Sequence, residues 1–207
     1  MILEACVESL EEAKQAERSG ASQIELCGRL DLDGLTPELN LVKEALNKLT
    51  IPVKVMVRPR GGNFVYSKSE FTEMAQSIEL FKNLGVQEIV LGLLTKQNEI
   101  DIESTKQLVA LAHPMKVTFH KAIDELDDPV KGVRQLMKIP EITAILTSGG
   151  KSTAKEGAEV IKKMMAVAQG KIQIIAAGKI TNENLKEIDQ LIGADVYHGK
   201  LIVGSLK

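Results

Sequence analysis

Strand-like runs and helix-like stretches alternate from the first residues of this chain almost to its last. Short β-branched or apolar runs near residues 2–7, 22–27, 51–57, 88–95, 115–120, 142–147, 172–177 and 195–198 read as eight strands. Stretches of helical period near 9–19, 37–49, 68–84, 101–112, 128–138, 153–169 and 181–192 read as seven helices. Gly20, Gly85, Gly170 and Gly193 stand where glycines end helices, and Ser9 with Glu12 makes a capping-box signature before the first. Strict β-then-α order with short connections implies parallel pairing and right-handed crossovers, which leaves a closed barrel or an open doubly wound sheet. Eight strands favour closure. An open dinucleotide-binding sheet would want a glycine-rich turn after its first strand, and Val7-Glu8-Ser9-Leu10 has no glycine.

The expected fold is therefore α/β, a (β/α)8 TIM barrel, as a single domain over residues 1–207. Only Ile202 to Lys207 follow the eighth strand, so the final helix is expected to be short or missing. The first and eighth strands would then lie under thin cover, and a homo-oligomer is expected to supply the rest. A net charge of −2 with interspersed signs gives no basic stripe, so no nucleic acid partner is expected. No apolar run approaches the ~20 residues needed to cross a bilayer, and no export signal opens the chain, so a cytoplasmic protein without a membrane partner is expected. In that reducing compartment its two cysteines, Cys6 and Cys27, would persist as thiols.

In a barrel, alternate side chains point inward and strand carboxyl ends build the site. Period two then puts Glu4 with Cys6, Glu25 with Cys27, Lys54 with Met56 and Arg58, and Thr118 with His120. Strands about 4.8 Å apart could bring the two thiols to one soft metal ion, and Cu(I) suits two thiolates with the Met56 thioether nearby. Two small buried apolar residues would read the same way. Glu4 and Glu25 suit general acid or base work if poorly paired, or plain ion pairs with Lys54 or Arg58. His120 ends an apolar strand and could move a proton or bind metal. His113 reads as a surface residue, and His198 falls between the two cases. Arg58 and Arg60, flanking Pro59 ahead of two glycines, could recognise a carboxylate or phosphate. Lys54, Thr118, and the turns holding Ser148 and Gly178 extend that candidate anion site.

The strings Ile24-Glu25-Leu26-Cys27, Gly34-Leu35-Thr36-Pro37, Val55-Met56-Val57-Arg58-Pro59-Arg60-Gly61-Gly62 with Tyr66-Ser67 downstream, Val117-Thr118-Phe119-His120-Lys121-Ala122 and Leu146-Thr147-Ser148-Gly149 resemble the CutC family in order and spacing. The resemblance covers nearly the whole chain. It implies a cytoplasmic barrel, often oligomeric, associated with copper tolerance or trafficking, with Cys6 and Cys27 at the positions proposed to bind copper. Lys121 replaces the family's usual arginine, Ile123 a phenylalanine, and Ala176-Ala177-Gly178-Lys179 a glycine run. Two functions follow as expectations. One is a Cu(I)-binding homeostasis protein using Cys6 and Cys27. The alternative is a TIM-barrel enzyme acting on a small anionic metabolite, with Glu4, Glu25 or His120 in acid/base chemistry. A scaffold with a vestigial site is the plainest third.

Overall fold

Parallel strands inside a ring of helices are buried on both faces, and those of this chain are short and apolar on the side that meets the helices. In the computed structural model, which describes residues 1–206, they are β1 (Ile2–Val7), β2 (Gln23–Leu26), β3 (Val53–Met56), β4 (Glu88–Leu91), β5 (Lys116–Phe119), β6 (Ile142–Thr147), β7 (Gln173–Ala176) and β8 (Val196–Gly199). They close into one barrel in chain order, all pairs parallel, with β8 returning to β1 through Ile2↔Val196 and Glu4↔His198. The TIM barrel expected from the alternation is the fold observed.

Among the described residues seven α-helices, α1 (Leu10–Arg18), α2 (Leu39–Lys48), α3 (Lys68–Asn83), α4 (Ile102–Ala112), α5 (Pro129–Leu136), α6 (Ala158–Ala168) and α7 (Leu185–Ile192), cover the outside. Outward strand residues such as Ala5, Val7, Ile24, Leu26, Val55, Ile89, Leu91, Phe119 and Ile145 pack against them in the main core. Among the described residues no helix follows β8; Leu201 instead bridges back to Thr181 in the loop before α7. Lys207 lies outside the described residues. Among the described residues no helix is long and apolar enough to cross a membrane.

Two local expectations are corrected. Ser9 caps α1 by accepting from Glu12 N at 3.2 Å, but the Glu12 carboxylate accepts from Glu8 N at 2.9 Å and not from the cap residue. The reciprocal box forms at α3, where Ser67 N donates to Glu70 at 2.6 Å and Glu70 N to Ser67 at 3.3 Å. The helix expected from residue 153 begins only at Ala158. Gly149 and Gly150 turn the chain with φ of 70° and 68°, and Gly157 then lies so close to the Ser148 carbonyl that any side chain there would collide with it. The intervening loop wraps back on the strand end, leaving helix only beyond Gly157.

Candidate functional site

Inward positions on β1, β3, β4 and β5 form a charged layer. Lys54 of β3 places its ammonium 2.9 Å from Glu4 of β1 and 3.1 Å from Glu88 of β4, with Thr118 of β5 at 3.4 Å. Thr118 in turn donates to Glu88 at 2.6 Å, and Gln23 donates to Glu4 at 2.6 Å. The other Glu4 oxygen lies 2.9 Å from His198 Nδ1 on β8. Burial works against ionising Glu4, but the His198 hydrogen bond and the Lys54 ammonium outweigh it and hold the carboxyl at about 2. Burial likewise opposes the Lys54 charge, and Glu4 and Glu88 more than offset it, so its pKa is raised. A low-dielectric interior makes this network stable only as a whole.

Two residues further along β1, β3 and β4, and at the end of β2, the layer turns soft. Cys6, Cys27, Met56 and Val90 form one cluster, with Leu30 packed against it. The Cys6 and Cys27 sulfurs are 3.9 Å apart. Glu25 Oε2 lies 3.4 Å from Cys6 Sγ, 3.5 Å from Cys27 Sγ and 3.8 Å from His198 Nε2. His198 thus stands between two carboxyl groups, Glu4 at its Nδ1 and Glu25 at its Nε2, and Glu25 Oε2 connects it to the thiols. The hydrogen bond from Cys27, set against burial and helped by His198 and Glu25, pulls the Cys6 thiol down to about 5. Donating that bond, together with burial, pushes Cys27 well above the usual thiol value. Burial chiefly, against the pull of His198, lifts Glu25 to about 8. Burial would depress His198, but Glu25, Cys6 and Glu4 hold it well above an ordinary imidazole. The site can therefore present a thiolate, a thiol, a carboxyl and an imidazolium within a few ångströms. Glu25 Oε1 is buried with no hydrogen-bond partner.

The loop after β2 roofs this cluster. Leu30 N donates to Glu8 at 2.7 Å, and Lys200 reaches the Leu30 carbonyl at 2.9 Å. Gly34, with φ of 85°, sits where a Cβ would be 3.1 Å from Cys27 Sγ, so that position combines a left-handed backbone with close approach to sulfur. Arg58 clamps the loop: its Nη1 donates to the carbonyls of Leu32, Asp33 and Gly34 at 3.0–3.1 Å, and its Nη2 to Gly62 at 3.0 Å. Only its Nε lacks a partner. Arg60 is engaged with Glu70 at 2.5 Å and with the carbonyls of Gly61, Asn63 and Val65.

The remaining predicted residues lie around the rim or deeper. His120 follows β5 beside the Phe64 ring, centroids 4.8 Å apart, and its Nδ1 accepts from Ala122 N at 3.1 Å. Burial and nearby Arg58 depress it to about 3, so it is a neutral imidazole whose Nε2 carries the hydrogen and meets no partner. Ser148 is fully buried and bonded to Lys121, Asp124 and the Lys151 carbonyl. Gly178, with φ of 111°, has no room for a Cβ between Ser148 and Ala154. Asp124 organises this side, accepting from Thr147 Oγ1 at 2.5 Å and from the N–H groups of Ser148 and Gly150 at 2.9 Å. Asp124→Ala strands those donors, and a loss of about 3 kcal/mol is expected in urea unfolding.

The structure thus brings together Glu4, Cys6, Glu25, Cys27 and Lys54, with Thr118 at the edge, and places His120, Arg58, Arg60, Ser148 and Gly178 outside their contact set. Sequence reasoning passed over Glu88 and Asp124 and left His198 undecided. A concavity of about 320 Å³ on the surface, lined by Tyr66, Phe71, Leu93 and Gln107 among others, does not include the thiols.

The model of the CutC family matches residues 1–203. The human copper homeostasis protein cutC homolog is 40% identical over 197 residues, covering 95% of this chain and 72% of that protein. A family protein CutC of Treponema denticola is 40% identical over 196 residues, covering 95% and 79%. The crystal structure of CutC from Streptococcus agalactiae matches with a TM-score of 0.92 at 34% identity, over 98% of this chain and 99% of that one. N-(5'-phosphoribosyl)anthranilate isomerase from Pyrococcus furiosus, at 16% identity and a TM-score of 0.58 over 96% and 86%, shares the fold alone.

Proposed function

This chain belongs to the CutC family, and from that premise we propose that it binds Cu(I) between the thiols of Cys6 and Cys27 at the barrel mouth, as a cytoplasmic copper homeostasis protein. The carrying observation is the pair of sulfurs 3.9 Å apart in an apolar cluster with the Met56 thioether. Soft donors select Cu(I), and a cytosolic chain keeps its thiols reduced. With Cys6 already drawn toward thiolate, only Cys27 must lose its proton to the metal, and Glu25 lies within 3.5 Å to relay it. The charged layer below holds the strands that carry both ligands. Anaerobic titration against a chromogenic Cu(I) chelator is expected to give one tightly held Cu(I) per chain; complete loss of copper to a weak competitor would sink the proposal. Self-association belongs to the same proposal, supported by exposed Leu191 and Leu201, and a monomeric mass by light scattering would remove it.

One observation favours an enzyme as a second reading. Arg58 Nε and His120 Nε2 are buried donors without hydrogen-bond partners, and buried polar atoms of that kind ask for an acceptor. A carboxylate or phosphate of a small metabolite would supply it. A metabolite-pool thermal-shift screen should then give a ligand whose stabilising shift vanishes in His120→Gln; a shift of equal size in that variant would exclude the residue.

A further inference from the structure

We propose that Cys6 and Cys27 also form a two-electron redox pair, in which Cys6 attacks a hydroperoxide and Cys27 resolves the product as an intramolecular disulfide. This goes beyond copper binding and does not depend on it, because the reaction uses the metal-free thiols. The division of roles follows from access and partners. Cys6 is 6% exposed while Cys27 is sealed at 0%, so only Cys6 meets a small oxidant first. Cys6 lies 3.4 Å from Glu25 Oε2, which faces His198 Nε2 at 3.8 Å, and Glu4 holds the other nitrogen of that imidazole at 2.9 Å. A carboxyl beside the thiol, backed by an imidazole that a second carboxylate orients, places a proton donor where the peroxide's leaving oxygen would need one.

The chemistry balances with groups already in place. The Cys6 thiolate attacks the terminal oxygen of the hydroperoxide, forming an S–O bond as the O–O bond breaks. The departing alkoxide or hydroxide takes a proton from the Glu25 carboxyl, which His198 behind it resupplies, and leaves as an alcohol or water. Cys6 is now a sulfenic acid, and Cys27, 3.9 Å away, attacks its sulfur. The S–S bond forms as the S–O bond breaks. The Cys27 proton passes by way of Glu25, whose Oε2 touches both sulfurs, to the departing hydroxide, giving water. In sum, one hydroperoxide is reduced and two thiols are oxidised. Closing to a disulfide requires the sulfurs to approach by about 2 Å, a side-chain movement within one cluster. Both sulfurs are then spent, so the oxidised protein has no thiolate left for a metal.

The test uses chelator-treated, reduced protein and hydrogen peroxide at one equivalent. Mass spectrometry is expected to show the parent lighter by two hydrogens, with tryptic peptides Met1–Lys14 and Ser19–Arg29 joined. Cys27→Ser should stop at a Cys6 sulfenic acid that a 1,3-dione reagent traps, and Cys6→Ser should leave Cys27 unmodified. His198→Gln should slow the peroxide-dependent phase at least about tenfold, as loss of the proton supply to a general acid does, and leave the first-order closure rate unchanged. Parent protein that keeps both thiols through a tenfold excess of peroxide, or Cys27 oxidised as fast in Cys6→Ser as Cys6 is in the parent, overturns the proposal. Since the parent measurement needs no variant, misfolding of a mutant cannot hide the answer. Copper titration of the same reduced sample separates the two: a protein that closes its disulfide but takes no Cu(I) defeats the copper proposal alone.

Discussion

Serine at both Cys6 and Cys27 is expected to weaken Cu(I) binding by more than about a hundredfold, beyond the 10–100-fold typical of losing a group behind a metal ligand. A hydroxyl is a hard, poorly acidic donor, and it has little affinity for a soft monovalent ion. Each single variant leaves one thiol and the Met56 thioether, so an intermediate affinity is expected. Met56→Leu, which keeps the volume, should move the constant far less. The substitutions keep side-chain size and put two hydroxyls in the cluster with Glu25, so the cost to folding is about 1–3 kcal/mol. Circular dichroism and a urea curve on the same preparations separate lost binding from lost structure. Unchanged affinity in the double variant would move the copper site elsewhere.

Lys54→Met carries the largest expected loss of stability, about 3–5 kcal/mol, because it strips the buried cation from two carboxylates and leaves them facing each other. Lys54 is the point through which β1, β3, β4 and β5 communicate inside the barrel, by way of Glu4, Glu88 and Thr118. Adding Glu88→Gln to Lys54→Met should recover part of the loss, since the remaining like-charge pair is then broken. The pH dependence gives a second check. Glu4 has its folded pKa depressed to about 2 from the ordinary value of 4.5. The unfolded chain thus binds more protons between those values, and stability falls as pH falls through that window. The contribution is complete above pH 4.5. Without Lys54 the folded pKa of Glu4 rises, so the acid loss from this residue should still begin near pH 4.5 but end at higher pH and be smaller in total.

Inward parity carried most of the site. Along β1, β2, β3 and β5 the alternation put Glu4 with Cys6, Glu25 with Cys27, Lys54 with Met56 and Thr118 with His120; the structure divides the β1 and β3 pairs between a charged and a soft layer and sets Glu25 against both thiols. The pairing of Lys54 with Glu4 was open to sequence as an ion pair. Glu88 was not, because a charged residue that begins an apolar strand also looks like a strand edge. His198 stands on a strand of four residues, too short for alternation to fix its face. Its meaning comes from closure: β8 pairs with β1, so His198 meets Glu4 across 194 residues of chain. The Arg58 clamp was hidden for a different reason. Spacing gives the type of donor but not its acceptors, and three of them are carbonyls of a loop whose path turns at Arg29, Asp33 and Gly34 in left-handed conformations. His120 was legible in position yet not in state, since its neutrality depends on burial and on Arg58 nearby.

Copper K-edge X-ray absorption on protein loaded anaerobically with one equivalent of Cu(I) tests the central proposal most directly. Two sulfur neighbours are expected in the first shell, both lost in the double serine variant. A first shell of nitrogen and oxygen alone, or a sulfur shell that persists without Cys6 and Cys27, would contradict it.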